Sequence, residues 1–359
     1  MRHALLSIAS CSLLGLAGCC GCGNDPSTLK VGGNGEAVAS AESVNARPIE
    51  WNGWEAFELD NGTVRVVVVP AIGRVMHYGF SDAGDAGNVL WTDPSLYGDI
   101  AIAGGDWQNF GGDKAWPWPQ DDPNGWPTLF PGSAWPPPVP FEGVAWAGRI
   151  DGNAVVMEAP VAPVYNVQPT RTIRLDPVGS GLTVTTTFDP VSNGEPAAAW
   201  HVTQLYKNDA TVVALPGDRP PDVKWLEPND PERMAKVATP VGEDGALSVE
   251  SAEQAKVFFN VPRLAAGIRG RGPDSVFVQR VVAANADGPD AGYRDASDVA
   301  QVFLLSDGDG GAPGPWAELE FTAPIGRGST LAIRWELLTA NGIDVTDPAA
   351  VADRAVRGD

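Results

Sequence analysis

Short runs of β-branched and aromatic residues recur along this chain, and nearly every one is stopped by Pro, Gly or an Asn–Gly pair. Val64 to Val69 reads VRVVVV and ends at Pro70. Runs of this kind, bounded by chain breakers, predict strands. We assign strands to Asn153–Met157, Thr170–Leu175, Leu182–Phe188, Ala199–Tyr206 and Thr211–Leu215. Lys256–Asn260, Val276–Ala283, Val299–Leu305, Ala317–Thr322 and Thr330–Leu338 follow the same pattern. Asp60-Asn61-Gly62, Asp151-Gly152-Asn153, Ser192-Asn193-Gly194 and Ala340-Asn341-Gly342 are the turns between them.

Two strands alternate clearly. In Trp316 to Thr322, Ala317, Leu319 and Phe321 share one face, and Trp316, Glu318 and Glu320 share the other. Near the end, Leu331, Ile333, Trp335 and Leu337 oppose Arg334 and Glu336. The apolar faces are expected to meet in a core. The Trp316/Glu318/Glu320 face is either solvated or lines a groove. A helical period is nearly absent. Asp347 is placed to cap a short helix with Pro348 at its first position, and Asp230 to Lys236 reads as a single turn. Many short strands without a boundary predict one all-β domain, a large antiparallel sandwich over residues 48–345, with a short helical tail over 346–359.

The first residues differ. Arg2 precedes an apolar stretch, Ala4 to Leu16, too short to span a bilayer. It ends in Leu16-Ala17-Gly18-Cys19, which resembles the lipobox of bacterial lipoproteins. That resemblance implies a signal peptide over 1–18, cleavage before Cys19 and lipidation of Cys19. Residue 20 is not aspartate, which favours an outer-membrane location in the cell envelope. All four cysteines lie within the first 22 residues, so the body uses no disulfide and no thiolate metal site. Residues 19–47 are rich in small and polar types and read as a flexible tether.

The chain carries 24 basic and 45 acidic residues, a formal charge of -21. No basic patch with interleaved aromatics is visible, so nucleic acid is a poor partner. Anionic polysaccharides and anionic membrane surfaces are disfavoured by repulsion, whereas a neutral ligand is not. No phosphate loop, GxSxG elbow or dinucleotide fingerprint occurs, and we expect neither cofactor nor metal. Asp307 to Gly311 lacks the later ligands of a calcium loop and reads as a turn.

One stretch concentrates the aromatic residues. Six of the thirteen tryptophans lie between Trp107 and Trp146, and nine prolines lie between Pro117 and Pro140. Proline removes a backbone donor, so Asn109 to Gln120 is expected to be a stiff loop and not a central strand. Gly111-Gly112 permits a tight turn or a close approach. Trp116, Trp118, Trp126 and Trp135 either offer flat faces to a sugar or plug one end of the sandwich.

Val68 to Val75, Asn109 to Gln120, Trp135-Pro136-Pro137 and Ala317 to Ile325 with Trp335 together resemble an uncharacterised bacterial domain family. That family is itself similar to the galactose mutarotases. The resemblance implies a β-supersandwich and a carbohydrate ligand. If the chemistry is kept, it implies an aldose epimerase with an imidazole acid from a central strand and a carboxylate base from a late one. His201 is then the candidate acid, and Glu318 or Glu320 the candidate base. Setting Thr203 at the family's strand threonine puts Leu205 near the acid's usual place, two or more positions beyond His201. Arg74, His77, Asp113, Lys114, Trp116, Trp118, Gln120 and Trp135 are the candidate ligand-binding residues. Each has a structural alternative. His201 and His77 are the two histidines beyond the leader, and either can be a bonded core residue. Arg74 can form a salt bridge, and Asp113 and Lys114 can bond each other. The third functional reading is a non-catalytic envelope assembly or adaptor lipoprotein.

Overall fold

The computed structural model describes residues 43–100, 107–120, 126, 137–218, 223–225, 231–295, 298–305 and 315–358. The signal segment, Cys19, residues 20–42 of the tether, Trp135 and the Asp307–Gly311 turn lie outside the described residues. The first strands are β1 (Asn45–Trp51), β2 (Trp54–Asp60), β3 (Val64–Val69), β4 (Arg74–Phe80) and β5 (Asp113–Trp118). Then come β6 (Ala147–Asp151), β7 (Ala154–Glu158), β8 (Val167–Leu175), β9 (Leu182–Pro190) and β10 (Ala198–Tyr206). The next group is β11 (Ala210–Leu215), β12 (Val223–Trp225), β13 (Ala238–Val241), β14 (Ala246–Val249) and β15 (Ala255–Phe259). The last are β16 (Arg263–Ile268), β17 (Ser275–Gly292), β18 (Ala300–Leu304), β19 (Trp316–Thr322) and β20 (Ile325–Thr339).

They form two ten-stranded sheets. The first runs β1-β2-β3-β4-β5-β10-β19-β18-β15-β12, and the second β13-β14-β11-β16-β17-β20-β9-β8-β7-β6. The ladders at the centre of both sheets are antiparallel. The fold is therefore the large antiparallel β-sandwich that the strand pattern predicts.

The facing sides of the sheets hold the expected core. Ala317, Leu319, Phe321, Leu331, Ile333, Trp335 and Leu337 are all buried in one apolar cluster. Tyr78 of the first sheet meets Phe277 and Trp335 of the second at ring distances of 5.8 and 5.5 Å. Burial of such a ring stabilises by about 1.5–3 kcal/mol.

Three helices matter for the rest: α1 (Val139–Glu142), α2 (Pro231–Val237) and α3 (Pro348–Arg357). The side chain of Asp347 accepts from the Ala349 amide at 2.9 Å, with Pro348 in the first turn, as the sequence suggested. Val351, Ala352 and Ala355 of α3 are buried with Val213, Ala265, Val276 and Leu338 of the second sheet. That helix closes the outer side of the second sheet.

Two expectations need correction. Asp113 to Trp118 is a strand in the middle of the first sheet, not a loop. Its pairing explains why proline is tolerated there. β5 meets β4 only at Val75–Asp113, but runs along β10 from Asp113–Thr203 to Trp118–Ala198. From Lys114 onward the ladder is one-sided, and Pro117 sits where no second strand needs its missing N–H. In addition, pairing starts at Asn45, opposite Asp60, inside the stretch read as tether.

Candidate functional site

The outer side of the first sheet carries an unusual floor, and strand register builds it. Val202 of β10 lies opposite Lys114 of β5 on one side and opposite Glu320 of β19 on the other. Glu320 is opposite Gln301 of β18, which is opposite Phe258 of β15. Two residues along, Gln204 lies opposite Glu318, Glu318 opposite Phe303, and Phe303 opposite Lys256. Two residues the other way, Trp200 lies opposite Trp116. Side chains alternate with period 2, so all of these share one face. Strands are spaced by about 4.8 Å, which puts the Lys114 and Glu320 backbones about 10 Å apart with the small Val202 between them.

Lys114, Glu318 and Glu320 are buried on this floor, and Lys256 is half-buried. Both Glu320 oxygens accept from Lys256 Nζ, at 2.8 and 2.7 Å, and Oε2 accepts from Trp200 Nε1 at 2.8 Å. Burial pushes the Glu320 carboxyl up to about 7, against the opposing pull of Lys256 and with help from Glu318. Glu318 Oε1 accepts from Gln204 Nε2 at 2.8 Å and lies 3.7 Å from Lys114 Nζ. Lys114 stands over the Trp116 ring at 4.6 Å. Burial pulls its ammonium down to about 8, although Glu318 acts to raise it. Lys114 Nζ, Gln204 Oε1, and both Oε1 and Nε2 of Gln301 are buried without a hydrogen-bond partner. These four atoms leave unused hydrogen-bonding capacity on the floor, as atoms of His77, Ser275 and Gln279 do elsewhere in the interior.

Aromatic rings wall one side. Trp116 lies edge-on to Trp126 at 5.8 Å and to Trp200 at 5.4 Å, and Trp118 lies edge-on to Trp200 at 5.3 Å. The glutamate of α1 ties this wall down. Glu142 accepts from Trp116 Nε1 at 3.0 Å and Trp107 Nε1 at 3.3 Å, and pairs with Arg74. Arg74 also donates to the Gly111 carbonyl at 2.6 Å. Gly111 and Gly112 both have positive φ, 85° and 72°. A Cβ on Gly111 would run into the Trp91 carbonyl, and one on Gly112 into the Val75 carbonyl.

Lys114, Trp116, Glu318 and Glu320 are therefore brought together on one face, and Trp118 borders them. The indoles are not open at a rim: Trp116 and Trp118 are each 3% exposed and Trp126 is fully buried. Arg74 is a buried salt-bridge partner of α1 and not a surface residue. Gln120 is half-buried, and its carbonyl accepts from the Trp126 amide at 3.0 Å.

The other candidates lie elsewhere. His201 is opposite Phe321, so it points between the sheets and shares a 2.5 Å hydrogen bond with Thr186 of β9. It cannot face Glu318 or Glu320 across a ligand, because the sheet backbone stands between them. Asp113 also points inward. It pairs with Arg171 of β8 and accepts from Thr203 Oγ1 at 2.7 Å, so it does not bond its neighbour Lys114. His77 is fully buried, its ring nitrogens have no hydrogen-bond partner, and the charges that act on it are those of Arg65, Asp85 and Glu58.

Sequence reasoning missed Glu142, Trp200, Gln204, Lys256 and Gln301. The alternation of Trp200, Val202 and Gln204 along β10 was visible. Only the pairing with β5 and β19 shows that this row joins Lys114 to Glu318 and Glu320. Among the described residues no group of three or more His, Cys, Asp or Glu is arranged to hold a metal ion. Two open hollows of about 900 and 770 Å³ lie away from this floor. Lys207, Asp209, Glu250 and Arg269 line the first, and Ile49, Phe57, Pro70 and Trp146 the second.

No family model matches the chain, and no curated protein matches it. Among solved structures it is similar to a galactose mutarotase-like protein from Lactobacillus casei ATCC 334, at 11% identity over 79% of this chain and 99% of that one, with a TM-score of 0.49. It is also similar to a protein assigned as a mutarotase from Salmonella typhimurium, at 12% identity over 83% and 94%, TM-score 0.49. A third is a protein assigned as an aldose 1-epimerase from Escherichia coli K12, at 12% identity over 79% and 99%, TM-score 0.46.

Proposed function

We propose that this protein is a lipid-anchored envelope protein that binds a neutral carbohydrate over the Lys114–Val202–Glu320 floor. The observation that carries the reading is the set of unpartnered buried atoms on Lys114, Gln204 and Gln301. They alternate donor and acceptor capacity, as the hydroxyls of a sugar do. The indoles of Trp116 and Trp200 beside them supply apolar faces for a pyranose ring. The floor pairs Lys114 and Lys256 with Glu318 and Glu320, so it favours an uncharged ligand. Access requires movement of α1 or of Trp126, which pack on this face. The anchor at Cys19 rests on the lipobox alone.

Calorimetric titration with neutral mono- and disaccharides tests the reading. Heat is expected with at least one sugar, lost in Gln301→Leu and weakened in Trp116→Ala. A panel without heat, for a protein that melts cooperatively, removes it. An epimerase that pairs His201 with Glu318 or Glu320 does not fit this geometry, since the imidazole lies on the other side of the sheet.

A further inference from the structure

Lys114 is the one fully buried lysine on this floor whose amine has no hydrogen-bond acceptor. Lys256 is tied by both oxygens of Glu320. The nearest opposite charge to Lys114 is Glu318, at 3.7 Å, too far for a hydrogen bond but close enough to exchange a proton through a small shift. Trp116 covers one side of the amine, and the apolar Val202 is its cross-strand neighbour on the other. Holding the amine away from water favours its uncharged, nucleophilic form against the pull of Glu318, and Glu318 in turn stands where it can take up and return the proton.

We propose that Lys114 condenses with the aldehyde of an open-chain aldose, so that the floor holds a reducing sugar covalently as an imine. The inference rests on the sugar-binding reading of the same site. The Lys114 ammonium gives a proton to Glu318. The nitrogen lone pair attacks the carbonyl carbon, a C–N bond forms, and the carbonyl π pair moves to oxygen. Glu318 relays a proton from nitrogen to that oxygen, giving a carbinolamine. It then protonates the hydroxyl, the C–O bond breaks, water leaves with the bonding pair, and the nitrogen lone pair closes a protonated C=N. The sum is ammonium plus aldehyde giving protonated imine plus water, with no change of oxidation state. The free amide atoms of Gln204 and Gln301 are placed to bond the chain hydroxyls. The downward pull of burial on the Lys114 ammonium, to about 8, favours the free amine at mildly alkaline pH.

The folded protein is incubated with glycolaldehyde or D-ribose and sodium cyanoborohydride, and the peptides are read by mass spectrometry. Lys236, exposed on α2, is the internal comparison. Labelling of Lys114 is expected about tenfold faster than of Lys236, and to rise as pH passes through about 8. Glu318→Gln is expected to slow Lys114 severalfold and leave Lys236 unchanged. Labelling of Lys236 with none at Lys114, or labelling of Lys114 only in urea, overturns the proposal. Saccharide heat without Lys114 labelling overturns it and leaves the binding reading standing. Labelling by glycolaldehyde in a protein that gives no heat with any saccharide keeps the reactive amine and overturns the binding reading.

Discussion

His201 of β10 and Glu320 of β19 are one residue out of register, and for that reason they occupy opposite sides of the same sheet. One looks into the space between the sheets, the other away from it. The pair cannot share a ligand. His201→Leu should therefore leave any sugar titration unchanged. It should cost about 1–3 kcal/mol of stability, because Thr186 Oγ1 loses its buried partner. Calorimetry and urea unfolding on one preparation check both halves.

The buried histidines make stability fall in acid. Burial lowers the His77 imidazole from its ordinary range to about 3, and His201 well below its ordinary value. The unfolded chain takes up the proton near 6.5 and the folded one does not. The contribution is therefore complete above about pH 6.5 and is lost as pH falls from there toward 3, by about 1.4 kcal/mol per unit per group. His77→Gln removes one such group. The stability advantage of the parent over this variant should shrink from pH 6.5 downward, measured by urea unfolding at several pH values. A constant difference would show that His77 takes up its proton as readily in the fold as in the unfolded chain.

Arg171 and Asp113 form an ion pair with both side chains at 0% exposure, the first on β8 and the second on β5. Asp113→Ala leaves the guanidinium buried without its charge partner, with only the Gly73 and Asp113 carbonyls as acceptors, at 3.2 and 3.1 Å. A loss of about 3–5 kcal/mol is expected. Asp113→Leu combined with Arg171→Met should recover much of it, since no charge then remains inside. Chemical denaturation of the three variants measures the difference.

Glu142 is the common acceptor of Arg74, Trp107 and Trp116. Glu142→Gln keeps the shape and removes the charge. The α1 segment should loosen, seen as a red shift of tryptophan emission and faster amide exchange over residues 139–146. Stability should drop by about 2–4 kcal/mol, since Arg74 stays buried. Unchanged emission would mean that Glu142 does not hold the wall.

Gly111→Ala should be among the most damaging small substitutions. Its φ of 85° is costly for alanine, and the added carbon would strike the Trp91 carbonyl. Gly62→Ala, also at positive φ but with open space around it, should cost only the backbone term of about 1 kcal/mol. Thermal unfolding of the two variants separates steric conflict from backbone conformation.

Much of the architecture was legible in the chain itself. Val64 to Val69, the alternation of Ala317, Leu319 and Phe321, and the Asp347-Pro348 cap are local signals, and each formed as its residues indicate. They depend on periodicity, β-branching and capping, which act over a few residues. The strand at Asp113–Trp118 was not legible, because proline argues against a strand unless one edge is free, and the freedom of that edge depends on where β4 stops pairing. The floor was half legible. Lys114, Trp116, Glu318 and Glu320 were chosen from sequence, whereas Gln204, Gln301, Lys256 and Glu142 were not. Which side of the sheet each residue faces is a matter of register across strands roughly 80 to 120 residues apart in the chain, and a slip of one position reverses it. Local sequence determined that these segments would be strands. Tertiary pairing alone decided that His201 would be core and Lys114 would stand beside Glu318.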